Sequence, residues 1–178
     1  MTSEALLRLA SVQQWLYAEA RLLDERRYDL WLERTSPAIR YRVPAREYVT
    51  QADSRDFATW AVDREWGRSG NFDLIDDDDA GLRARIGRLQ TGMAWAETPP
   101  SMTRRLVGNV EILEVRDDGV VSAISVLFLA KSRADERVLL TAQRRDTLEP
   151  HGGGYRLRER LVILDDAVLA ASNLSTLF

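Results

Sequence analysis

The 178-residue sequence has no cysteine and one histidine, His151. The first absence excludes disulfides and thiol chemistry and suits a cytoplasmic protein. Both together leave no ligands for a cysteine- or histidine-held iron–sulfur cluster, a zinc–thiolate site or a two-histidine-one-carboxylate iron site. Long apolar runs are missing too, so nothing approaches the roughly twenty residues of a membrane span. The opening Met1-Thr2-Ser3-Glu4 lacks the charged-then-apolar pattern of a signal peptide. An excess of positive charge is also lacking. The 25 Lys and Arg are offset by 28 Asp and Glu, and they are spread along the chain, which gives no basic patch for nucleic acid.

What is present is an ordinary globular composition, 45% hydrophobic and 30% charged, enough for one core. We read residues 1–178 as a single domain. Its organising stretch is a run of four long strands, Thr103–Val115, Val120–Lys131, Val138–Glu149 and Tyr155–Leu164. Asp117-Asp118-Gly119 and His151-Gly152-Gly153-Gly154 offer residues that tolerate positive φ in tight hairpins. Arg133-Ala134-Asp135-Glu136 is a polar connection of hairpin length. In the fourth strand Arg156, Arg158 and Arg160 alternate with Tyr155, Leu157, Glu159, Leu161 and Ile163. The second strand has Ile124, Val126 and Phe128 on one side, Leu127 and Leu129 on the other, so both of its faces are expected to be covered.

The first half supplies the cover. Glu4–Leu23 is an amphipathic helix, with Val12, Leu16, Ala20 and Leu23 at helical spacing and Thr2 or Ser3 as cap. Asp24 is read as the cap of a second helix, Glu25–Arg34, stopped by Thr35-Ser36-Pro37. Ala38–Tyr48 alternates as a strand that Pro44 assigns to an edge or a bulge. Ser54–Trp66 reads as a helix ended by Gly67–Asn71, and Phe72–Ile75 as a brief strand. The acidic run Asp76–Asp79 precedes a helix carrying Leu82, Ile86 and Leu89. A calcium loop begun at Asp76 would need ligands at Ala80 and Gly87, so the run is read as a helix cap with favourable charge. Gln90–Ser101 is stiffened by Trp95, Pro99 and Pro100. The tail from Asp165 to Phe178 is expected to dock its apolar end on protein. Helices, a strand, a helix and then a long meander make an α+β pattern, with long twisted strands curling into an open cone.

Four stretches now carry a resemblance: Leu16–Asp24 with Trp31, Ile39–Pro44, Leu82–Val110 and Arg144–Phe178. The most specific is Arg88–Ser101, Arg-Leu-Gln-Thr-Gly-Met-Ala-Trp-Ala-Glu-Thr-Pro-Pro-Ser, continued by Thr103–Val110. The sequence resembles the beta (small) subunits of aromatic-ring-hydroxylating Rieske dioxygenases. Met102-Thr103-Arg104-Arg105 departs from the Arg-Thr-Arg-His usual there. The resemblance implies a nuclear-transport-factor-two-like (cystatin-like) cone, a curved, mostly antiparallel sheet wrapped round N-terminal helices. It implies a structural subunit without catalytic residues in a complex of three alpha and three beta chains. The alpha partner would hold the Rieske cluster and the mononuclear iron and cis-dihydroxylate an aromatic substrate.

Candidate partner contacts are Trp95, Glu97, Pro99, Pro100, Arg104, Arg105, Arg156, Arg158 and Arg160. A solvated face is the default reading of the three strand arginines, and core packing that of Trp95. The alternative is a stand-alone cone-fold isomerase, dehydratase or small-molecule binder using Asp24, Tyr28, Tyr41 or Glu159 inside the cone. His151, among turn glycines, is expected to be exposed loop.

Overall fold

The computed structural model describes residues 2–46, 73–91, 100–166 and 176–178. The expected helix at 54–66, the central part of the stiff connection and most of the tail lie outside the described residues. The helices are α1 (Ser3–Asp24), α2 (Tyr28–Leu32) and α3 (Asp79–Gln90). The strands are β1 (Thr35–Pro44), β2 (Asp73–Asp77), β3 (Met102–Val115), β4 (Val121–Arg133), β5 (Glu136–His151) and β6 (Gly154–Leu164). They form one sheet in the order β2-β1-β6-β5-β4-β3, antiparallel except for the β1–β6 pair.

The local chemistry explains the element ends. Thr2 caps α1, accepting from the Ala5 N–H, and Asp78 caps α3, accepting from the Gly81 N–H at 2.9 Å. The β5–β6 hairpin turns through Gly152 (φ 57°) and Gly153 (φ 78°), the two positive φ values of a two-residue turn. The second helix is shorter than expected. Asp24 closes α1 instead of capping α2, whose N-cap, Arg27, makes no side-chain cap bond. Thr35-Ser36-Pro37 does not merely stop a helix, because it already opens β1, with Thr35 Oγ1 donating to the Leu32 carbonyl at 2.7 Å. Nor is β1 an edge. It lies between β2 and β6, and Pro44 sits where its register with β2 shifts, as a bulge accommodates a residue without an N–H.

A single bulge decides what enters the cone. Thr147 pairs with Glu159 and Leu148 with Leu157, which leaves Arg158 as the extra residue on β6. Side chains alternate with period two, so one extra residue exchanges the faces beyond it. Leu157, Arg160, Val162 and Leu164 are buried, whereas Glu159 is exposed. The expected common face of Arg156, Arg158 and Arg160 therefore does not form, and Glu159 does not point inside.

The inner face packs on α1, which supplies Val12, Trp15, Leu16 and Leu23 to the core; Trp31, Leu82 and Ile86 come from α2 and α3. On β4 the Leu127 and Leu129 face is buried, but the outer one is only partly covered, with Phe128 44% exposed. The edge strand β3 has two register breaks, one with Asn109 at φ 49°, as suits an edge that must not pair with another sheet.

Candidate functional site

Four charged side chains meet inside the cone. Glu19 comes from the core stripe of α1, Arg144 and Asp146 from the inner face of β5, and Arg160 from β6 beyond the bulge. None is more than 3% exposed. Arg160 is the hub. Its Nη1 and Nη2 donate to Glu19 Oε1 and Oε2 at 2.8 and 2.9 Å. Its Nε and Nη2 donate to Asp146 Oδ1 and Oδ2 at 2.8 and 2.9 Å, and Nη1 also reaches the Phe178 main-chain oxygen at 2.8 Å. Trp31 Nε1 donates to Glu19 Oε1 at 3.0 Å. Arg144 completes the neutralisation at longer range, 3.5 Å to Glu19 and 3.9 Å to Asp146.

Tyr41 closes the group. Its hydroxyl donates to the Phe178 oxygen at 3.0 Å and accepts from the Phe178 N–H at 2.7 Å. The Trp31 and Tyr41 rings meet edge to face with centroids 6.5 Å apart. Phe178 is itself fully buried. The expected docking of the chain's apolar end is thus met at Leu177 and Phe178, in the middle of the cone.

The electrostatics favour holding over reacting. Burial pushes the Glu19 carboxyl up, but the Arg160 and Arg144 guanidinium groups and the hydrogen bonds from Arg160 and Trp31 outweigh it and leave it below the usual carboxylate range. A general base needs the opposite: a raised pKa and an acceptor lone pair facing a substrate. Burial also drives the Tyr41 phenol up, against the opposing pull of Arg160.

The residues read as alternatives fall elsewhere. Asp24 accepts from Thr103 Oγ1 at 3.1 Å and from the Arg105 N–H at 2.9 Å, and it pairs closely with the Arg105 guanidinium. Tyr28 is half-buried beside Arg26 and Pro100, Glu159 is exposed, and His151 is an exposed turn residue. The acidic run is consumed by its own surroundings: Asp76 pairs with Arg40, Asp77 with Arg85 and Asp79 with Arg83, while Asp78 caps α3. Among the described residues no group of three or more His, Cys, Asp or Glu could hold a metal ion.

Of the candidate partner contacts, Trp95, Glu97 and Pro99 lie outside the described residues. Pro100 and Arg104 are exposed, and Arg156 and Arg158 are half-buried. The Arg105 side chain is 3% exposed and held by Asp24. Arg160 is a correction: the bulge turns it into the core, out of reach of a partner. The sequence reading also missed Glu19, Arg144 and Asp146. Their signal was available, since Glu19 interrupts the Leu16–Leu23 apolar stripe, and Arg144 and Asp146 continue the inward period of Leu140 and Ala142.

The profile of the family described as ring hydroxylating beta subunit matches residues 18–171. The chain belongs to this family. The beta subunit of benzene 1,2-dioxygenase from Pseudomonas putida F1 is 29% identical over 170 residues, covering 94% of this chain and 87% of that protein. A chain of naphthalene 1,2-dioxygenase, solved with indole in its active site, superposes with a TM-score of 0.80 at 22% identity, over 99% of this chain and 86% of that one. A candidate scytalone dehydratase from Novosphingobium aromaticivorans gives a TM-score of 0.63 at 12% identity, over 93% of this chain and 89% of that one. These likenesses establish the nuclear-transport-factor-two-like cone. Within that cone, this beta subunit fills its interior with a neutralised charge quartet.

Proposed function

We propose that this beta subunit works without catalytic residues of its own, aligning and stabilising the alpha subunits of a cytoplasmic ring-hydroxylating dioxygenase in a complex of three alpha and three beta chains. In this reading the Rieske cluster and mononuclear iron belong to the alpha subunit, which dihydroxylates the aromatic substrate. The donor set of this chain does not fit either group, since it has no cysteine and its one histidine is an exposed turn residue.

The observation that supports a scaffold most is the filled interior. Where a cone-fold enzyme would bind substrate, Arg160 ties Glu19, Asp146 and the Phe178 backbone together. The stand-alone enzyme reading loses its simplest base, because Glu159 faces solvent. Co-expression with the large subunit and sizing of the product tests the proposal. A complex of both chains is expected, and a large subunit fully assembled and active without this chain contradicts it.

A further inference from the structure

A small polar recess lies where the end of α1 meets β3 and residues 176–177. It measures about 70 Å³, and Arg26, Arg105 and Lys131 stand in its wall with Thr103, Thr176 and Leu177. No carboxylate is among its described wall residues. We infer that this recess is a binding site for a small oxyanion, inorganic phosphate or a short carboxylate. The inference is independent of the assembly role proposed above.

One nitrogen carries it. The Arg105 side chain is 3% exposed. Its Nη1 pairs with Asp24 and donates to Thr103 Oγ1 at 3.1 Å, and Nη2 donates to the Leu177 main-chain oxygen at 2.6 Å. Nε is buried with no hydrogen-bond partner. Buried donors in folded chains are satisfied by protein, ordered water or an ion, so a bare one beside an opening calls for an acceptor from outside the chain.

The surroundings decide which acceptor. Asp24 offsets Arg105, but Arg26 spends Nη2 on the Ser101 carbonyl at 2.9 Å and the Met102 sulfur at 3.2 Å, neither of them an acid. Three cationic side chains repel a cation, and a neutral acceptor leaves their field unanswered. An oxyanion gains charge-assisted hydrogen bonds, roughly twice as strong as neutral ones. Size narrows the class further. The recess is roomier than the ~10–15 Å³ a single water needs and smaller than the ~150 Å³ cavity that takes a benzene ring. It admits an anion the size of phosphate or acetate and excludes an arene.

The position gives binding a consequence. Arg26 follows α1, Thr103 and Arg105 are on β3, Lys131 is on β4, and Leu177 precedes the buried Phe178. An anion shared by these residues ties helix end, edge strand and the Leu177–Phe178 stretch together, and it stabilises the fold by mass action.

The test titrates the full chain, at fixed ionic strength, with inorganic phosphate and separately with acetate, reading calorimetry and the thermal midpoint. At least one probe is expected to bind saturably with a Kd at or below about 1 mM. The tighter probe names the source, free phosphate or a carboxylate. R26E sets a carboxylate in the wall and should weaken that binding by about tenfold or more. R83E, on α3, is the control for charge reversal as such and should change it by less than about twofold. The Arg105 Nε–H resonance should shift along the same saturation curve, an arm that needs no variant to fold. Saturable binding by neither probe overturns the inference. So does binding that R26E and R83E affect equally, which marks an adventitious ion only. An Arg105 Nε–H resonance that stays still while the probe saturates overturns it too.

Discussion

Arg160 grips Glu19 with two parallel hydrogen bonds of 2.8 and 2.9 Å, joining β6 to α1 across the cone with neither side chain more than 1% exposed. Such a fork-to-fork pair fixes orientation as well as charge. It also draws in Asp146, Trp31 and the Phe178 backbone, so helix, sheet and chain end share one polar knot. A buried ion pair is weak evidence of net stability, because desolvation offsets most of the attraction. Its clearer effect is to make one arrangement of α1 over the sheet far better than its neighbours.

Removing one partner should therefore cost much more than removing an ordinary surface charge. Glu19→Gln leaves Arg160 and Arg144 facing only Asp146, with one positive charge uncompensated in the core. A loss of about 3–5 kcal/mol in unfolding free energy is expected, measured by urea denaturation.

Acid should act on the same residue. The folded-state pKa of Glu19 lies below its ordinary value of 4.5. A depressed carboxylate contributes stability that is fully present above the unfolded pKa and lost as pH falls through the folded one. The thermal midpoint should thus drop below about pH 4.5, and Glu19→Gln should show a shallower drop over that range than the unaltered chain.

Glu159 offers the contrasting case. It is exposed on the outer face, so Glu159→Gln should change unfolding free energy by no more than about 0.5 kcal/mol. A large change would mean that β6 lacks the bulge at Arg158.

The β3–β4 turn gives a backbone prediction. Gly119 has φ +83°, and a Cβ there would lie 3.0 Å from Pro150 Cγ. Gly119→Ala should destabilise by about 1–3 kcal/mol, read as a lower urea midpoint with unchanged slope.

The meander, its three hairpins and the helical cover were legible because hydrophobic period and turn residues are local signals. Within the buried quartet Glu19, Arg144 and Asp146 left a local signal, but the hub, Arg160, did not, and the reason is specific. Strict alternation along β6 puts Arg160 with Arg156 and Arg158, and only the pairing of β6 with β5 reveals that Arg158 is skipped. Pro44 announced a bulge but not that β1 would pair with β6 on its other side, since parallel pairing across more than a hundred residues leaves no local mark. Asp24 is a good cap residue by type, yet Arg105, far along the chain, claims it.

The scaffold claim is tested most directly by purifying this chain alone and with its large subunit, then measuring iron content and aromatic dihydroxylation. The account predicts iron and turnover in the complex and neither in the lone chain. Stoichiometric iron or turnover in the lone chain would contradict it.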